Sequence, residues 1–126
     1  MTTYKVKDGH DQAEIDLVLI DPQPRSTGVR VTRRTHAAGG AVIEEGKYIE
    51  LIWDIVPTAN AWNALLNQFG LGAVLTNEVT VYVPDPQFYY TRYNGTAIRP
   101  EIGQDVQRTG YFIRNVTILV RDLTAI

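Results

Sequence analysis

The chain has no cysteine, a single serine, two histidines and one methionine among its 126 residues. Without cysteine there is no disulfide framework, no thiolate metal centre and no cysteine nucleophile. The lone Ser26 lies in Pro24-Arg25-Ser26-Thr27-Gly28, which lacks the strand-turn-helix pattern of a hydrolase nucleophile. His10 and His36 are far apart in sequence. Asp8, His10 and Asp11 form the one tight group of metal-capable types, but without the spacing of a binding loop, so a solvated polar segment is the simpler reading. No phosphate-binding loop and no dinucleotide fingerprint is present, and no metal or cofactor is expected.

Excess charge and long apolar runs are missing as well. Twelve Lys and Arg against 14 Asp and Glu give a net charge of −2, which offers no bulk attraction to nucleic acid or to an anionic membrane. The strongest apolar stretches, 15–20 and 116–120, are strand-sized. The first 14 residues carry no apolar signal core, so the reading expects neither a secretory leader nor a spanning segment, and no membrane partner. Carboxylates are plentiful, yet Glu44, Glu45 and Asp54 show no pairing that marks a glycosidase.

What is present is strand periodicity broken once. After Gly39-Gly40, which reads as a turn, residues 48–56 alternate: Ile49, Leu51, Trp53 and Ile55 point to one side, Glu50, Ile52 and Asp54 to the other. Thr58 then stands where a helix cap belongs. Trp62, Leu65, Leu66 and Phe69 follow at helical offsets, and Gly70 sits where a left-handed C-terminal cap is expected. Burying those four side chains contributes on the order of 6–12 kcal/mol before conformational entropy is set against it. So short a helix is marginal alone in water, which places it across a sheet beside strand 48–56.

Further strands are expected at 14–20, 29–35, 78–83, 96–99 and 111–123, with Asp21-Pro22-Gln23-Pro24 and Pro84-Asp85-Pro86 as stops. Asn94-Gly95 is the strongest hairpin signal, joining a tyrosine-rich run at 87–93 to a return strand. Leu119 and Leu123 fall on an otherwise polar face of the last strand, so part of that face is expected to be covered. Residues 1–13 show no period and read as an arm, leaving one domain over 14–126. The fold class is mainly β: an antiparallel β-sandwich or flattened barrel with one flanking α-helix, about Thr58 to Phe69.

Two groups of residues stand out as contact surfaces. Phe88, Tyr89, Tyr90 and Tyr93, beside Arg92 and Arg99, form either a sugar-stacking surface or ordinary core and subunit contact. Arg30, Arg33, Arg34, Arg108, Arg114 and Arg121 are set into strands or their margins, with Glu44, Glu45, Glu50 and Asp54 on other elements, which suits reciprocal contacts between identical subunits or a solvated face. The candidate subunit contacts are therefore Arg30, Arg34, Glu44, Glu45, Tyr89, Tyr93, Arg99 and Arg121. The sequons at Asn94 and Asn115 are read as accidental in a chain without a secretory signal.

Residues 33–53, from Arg33-Arg34-Thr35-His36 through Gly39-Gly40 to Trp53, together with Ala61-Trp62-Asn63-Ala64-Leu65-Leu66-Asn67-Gln68-Phe69-Gly70, resemble small tail proteins of long-tailed bacteriophages. The relevant groups are the lambda-type minor tail proteins and the N-terminal domain of distal tail proteins, which share a glycine turn, a tryptophan-bearing strand and a short helix. The closing run from Asn115 to Leu123 is similar to their last strand, and the likeness covers somewhat more than half the chain. The resemblance implies a helix-flanked β-sandwich assembled as a ring, commonly sixfold, in a virion's tail tip, baseplate or tail tube. Its partners are then copies of itself, expected as a hexamer, and neighbouring tail proteins, with DNA only in passage. It carries over no catalytic residue, and it makes the arm and loop 22–28 natural reaches toward a neighbour. The long C-terminal carrier domain that some distal tail proteins bear is expected to be lacking here, so the resemblance gives no support to host-carbohydrate binding. A carbohydrate-binding module built on the tyrosine hairpin and a capsid decoration protein are the alternatives.

Overall fold

Four long strands, rich in the β-branched and aromatic residues that suit a pleated surface, make the body of the sheet: β7 (Lys47–Val56), β8 (Thr76–Pro84), β9 (Tyr90–Ile98) and β11 (Phe112–Ala125). The computed structural model describes residues 4–31, 34–36, 42–44, 46–56, 58–100, 107–109 and 112–126. Shorter strands complete it: β1 (Lys5–Asp8), β2 (Val18–Leu19), β3 (Arg25–Ser26), β4 (Arg30–Val31), β5 (Arg34–His36), β6 (Val42–Glu44) and β10 (Gln107–Thr109). The strand order is β2-β1-β8-β9-β11-β7-β3, antiparallel throughout, with β10 added to β11, β4 added to β7, and β5–β6 a separate ribbon. The sheet curls into a half-barrel, so the expected antiparallel fold with one helix is realised in its barrel-like form. The Gly39-Gly40 turn and Pro57 lie outside the described residues.

The open side of the curl is closed by α1 (Ala59–Gln68). Thr58 caps it as expected, its hydroxyl accepting the Ala61 N–H at 3.0 Å. At the other end Gly70 takes φ +69°, with Gly70 N–H donating to Asn67 O and Leu71 N–H to Leu66 O, the paired bonds of a Schellman cap. Trp62, Leu65, Leu66 and Phe69 are buried against the sheet's inner face, with Phe69 edge-on to Trp53 at 6.2 Å between ring centroids. Gln68 exchanges two hydrogen bonds with the Asp21 backbone, and Asn77 Nδ2 donates to both Phe69 O and Asp8 Oδ1. The helix thus ties β7 on one side of the opening to β1 and β8 on the other.

Several expectations change. Residues 4–13 are no loose arm: β1 pairs with β8 in register from Lys5 opposite Tyr82 to Asp8 opposite Val79, and Tyr4 and Val6 belong to the core. The following residues 9–13 strap across the outer face of β8 and β9. Buried Thr80 donates its hydroxyl to Gly9 O and accepts from Gln12 N–H, Asn94 exchanges two 2.8 Å bonds with Asp11, and Arg92 donates to Gln12 O. Residues 14–20 are not one strand but a 3₁₀ turn (Glu14–Asp16) and the two-residue β2. Loop 22–28 turns inward instead of toward a neighbour: Trp53 Nε1 donates to Pro22 O at 2.7 Å, Gln23 bonds the Tyr4 and Ile20 backbone, and Tyr4 Oη lies 2.8 Å from Ser26 Oγ.

The alternation of β7 and β11 also shifts. Trp53 opposite Val116 and Val56 opposite Ile113 are buried, whereas Asp54, Ile55, Arg114 and Asn115 between them are all exposed. Asn115, at φ +55°, absorbs the change of direction in a conformation that asparagine tolerates better than most residues. Ile55 therefore leaves the core and Val56 replaces it. A second irregularity, a bulge at Asp122 (φ +56°), shifts the β9–β11 register and brings Leu123 inward. Leu123 is thus a core residue, not part of the outer face.

Asn94-Gly95 is not a turn. It lies mid-strand in β9, opposite Thr80 and Val79, because residues 85–89 make the connection instead. There Asp85 Oδ1 accepts the N–H groups of Gln87 and Tyr89, while Asp85 and Tyr89 also exchange a backbone bond. Gly95 serves close packing: a Cβ on it would stand 2.7 Å from Val120 Cγ1, 2.8 Å from Leu123 Cδ2 and 3.1 Å from Arg121 O. Gly95→Ala is accordingly expected to destabilise the fold by about 1–3 kcal/mol. Urea unfolding monitored by tryptophan fluorescence measures it, and an unchanged midpoint would contradict the packing argument.

Candidate functional site

Of the eight sequence-derived contact residues, the side chains of Arg30, Tyr89, Tyr93, Arg99 and Arg121 are described, and they lie on separate strands and turns. Arg30 is exposed on β4, where its Nε donates to Thr27 O at 3.3 Å. Arg121 is exposed on β11 with Asp122 at 3.8 Å. Arg99 is half-buried just past β9, with its N–H bonded to Leu75 O. Arg34 and Glu44 are paired positions in the backbone register of the β5–β6 ribbon. Glu45 and Arg33 lie outside the described residues.

The tyrosine group divides. Tyr93 is buried on the inner face of β9 and is not a surface contact in this fold. The strand offset decides this: with the turn at 85–89, Tyr93 falls opposite Val81 and shares its core-facing side. Burial pushes the Tyr93 phenol above its ordinary value, and the Asp85 carboxylate adds to the effect. Tyr90 and Tyr82 stack at 5.4 Å on the outer side, with Lys5 Nζ 5.6 Å from the Tyr82 ring and Tyr4 edge-on to Tyr90. Phe88 and Tyr89 stand out at the turn, 86% and 71% exposed. Phe88 has φ +67°, a conformation unfavourable for a bulky side chain and held here by the four hydrogen bonds around Asp85.

The sequence points to a strand at 29–35 and a turn at Gly39-Gly40 but not to the ribbon as a unit. Arg30 pairs with Tyr48 and Val31 with Lys47 on the main sheet; Arg34 pairs with Glu44 and His36 with Val42 on the ribbon. All four pairs share one offset, so β5–β6 continues the β4–β7 ladder outward in the same register. Its signal in the sequence was the glycine pair centred between two β-branched runs. Among the described residues, β5 and β6 pair only with one another.

Shallow, open depressions occur on the surface formed by the described residues. One, of about 380 Å³, lies between Pro22–Arg25 and Ile52–Ile55, beside the 3.0 Å Arg25–Asp54 ion pair. No group of three or more His, Asp or Glu able to hold a metal occurs among the described residues, and no described helix is long and apolar enough to cross a membrane. No protein-family model, curated protein or solved structure matches the chain.

The fold favours the neutral form of Tyr93, whose folded-state pKa is raised above 10.0. That contribution is fully present below the unfolded value and is lost as pH rises through the folded one. Stability should therefore fall on strong alkalinisation, and less steeply in Tyr93→Phe. Denaturant midpoints across the alkaline range, read beside phenolate absorbance, check this; parallel profiles for the two proteins would refute it.

Proposed function

We propose that this chain is a structural subunit of a phage particle: one tile of an oligomeric ring in a tail tip, baseplate or tail tube. Its work is done through contacts with copies of itself, in a hexamer, and with neighbouring tail proteins, while DNA at most passes by. The observation that carries this reading is the β5–β6 ribbon. A two-stranded ribbon is marginal in water by itself, and this one extends the β4–β7 ladder away from the sheet body. In this reading a neighbouring subunit packs against the ribbon. The resemblance of residues 33–53 and 61–70 to phage tail proteins spans this same ribbon, strand β7 and the helix behind it.

A second reading, a carbohydrate-binding module, is favoured by the exposed Phe88 and Tyr89 on their pinned turn. Burial of Tyr93 and the mutual stacking of Tyr82 and Tyr90 leave that platform smaller than the sequence implied.

Excising residues 34–44 and joining the ends with an Asn-Gly turn tests the proposal. The shortened protein should keep its unfolding midpoint to within about 1 kcal/mol, since the ribbon is a separate sheet, and should lose assembly by size-exclusion with light scattering. Assembly at the wild-type stoichiometry would overturn the ribbon's role. Glycan-array binding abolished by Tyr89→Ala would instead favour the second reading.

A further inference from the structure

Asn94-Gly95 stands in the middle of β9, and two separate demands of the fold put the pair there. Position 95 has no room for a Cβ, which would meet Val120, Leu123 and the Arg121 carbonyl at 2.7, 2.8 and 3.1 Å. Position 94 needs a carboxamide. Its Oδ1 accepts the Asp11 N–H and its Nδ2 donates to Asp11 Oδ1, each at 2.8 Å, with Thr80 Oγ1 3.3 Å from the same Oδ1. A side chain that can only accept cannot make this exchange. The neighbouring residues of the strap are fixed to the same strand, His10 Nε2 lying 3.0 Å from Gly95 O and Gln12 O accepting from Arg92. Asparagine followed by glycine is also the dipeptide most prone to lose its side-chain amide, because a residue without a Cβ leaves its backbone nitrogen open to close approach. The chain contains it once.

We propose that Asn94 is a deamidation site held inert by the strap 9–13, and that its conversion to an acid releases the strap. In the reaction the Gly95 nitrogen attacks Asn94 Cγ, the C–N bond of the carboxamide breaks, and ammonia leaves carrying the proton of the Gly95 nitrogen. Water then opens the succinimide ring to aspartate or isoaspartate. For the attack, Cγ must turn from Asp11 onto its own main chain, which breaks both 2.8 Å bonds and takes Asn94 out of its extended pairing with Thr80 and Thr124. The reaction therefore runs through local opening of β9 and not through the native sheet. Once formed, an aspartate at position 94 sets a second carboxylate where the donor to Asp11 Oδ1 stood, 2.8 Å away, and the two charges repel. Isoaspartate adds a main-chain carbon and breaks the ladders to β8 and β11 as well. The carboxamide is a latch, and its loss uncovers Thr80, which the intact strap keeps buried.

The full chain, incubated folded and in urea at the same mildly alkaline pH, is followed by mass spectrometry of the peptide that contains Asn94, which reports aspartate and isoaspartate separately. Deamidation should run at least about tenfold slower in the folded protein; equal rates would overturn the protection. Amide hydrogen exchange reads the latch. In Asn94→Asp the amides at positions 11 and 12 should exchange at least about tenfold faster than in the wild type, while those of β7 keep their rates. Adding Asp11→Asn swaps donor and acceptor across the pair, at a position whose φ of +55° asparagine tolerates, and should return those rates to within about threefold of the wild type. Strap amides unchanged in the single variant, or equally fast in the single and double variants, overturn the latch. Should Asn94→Asp fail to fold, Asp11→Gly removes the same bond from the strap's side without strain at that φ. It should speed deamidation of the folded chain at least about threefold, and an unchanged rate would overturn the strap's role.

Discussion

The rest of the structure depends on covering the opening of a curled sheet. A nine-stranded antiparallel sheet with one apolar face cannot leave that face wet, and its twist brings the two ends near each other without joining them. Trp62, Leu65, Leu66 and Phe69 fill the gap from α1, and the loop around Pro22 to Ser26 stitches its rim to Trp53 and Tyr4. Both elements are short and neither is stable alone. Their stability comes from the apolar face they cover, and the sheet's from being covered.

That arrangement requires departures from regular alternation. At Asn115 and again at Asp122, β11 adopts left-handed backbone, and each time the parity of inward-facing side chains changes. The first departure removes Ile55 and Arg114 from the inner face at the same level; the second returns Leu123 to it. Gly95 exists because the bulge at Asp122 presses Leu123 and Val120 against the neighbouring strand. The strap 9–13 then seals the outer side over Thr80, so polar side chains on that face are satisfied within the chain.

These commitments decide which surfaces remain for partners. The N-terminal residues and loop 22–28, natural reaches toward a neighbour on resemblance alone, are used internally. Among the described residues, large apolar side chains left outward include Ile15, Val18 and Leu19 near β2, Phe88 and Tyr89 at the turn 85–89, and Leu75.

The helix was legible in full: cap, apolar stripe and terminal glycine are local features, set by hydrogen bonds and spacings within a dozen residues. The strands of β7, β8 and β11 were legible for the same reason, since alternation is written along each one. Less legible was everything that pairs residues far apart. Asn94-Gly95 has the local chemistry of a turn, but the Asp85 turn claimed the connection first and the bulge at Asp122 needed a residue without a Cβ. Tyr93 looked like a surface residue until the strand offset turned it inward, and the strap's polar residues looked solvated because their partners lie some 70 to 85 positions away. By itself the sequence determined the β-rich class, the helix and the charge inventory, all of which follow from short-range sterics and composition. Register, parity and the choice of which edge stays open were decided only in the folded chain, because they are set by the mutual packing of strands that no single segment encodes.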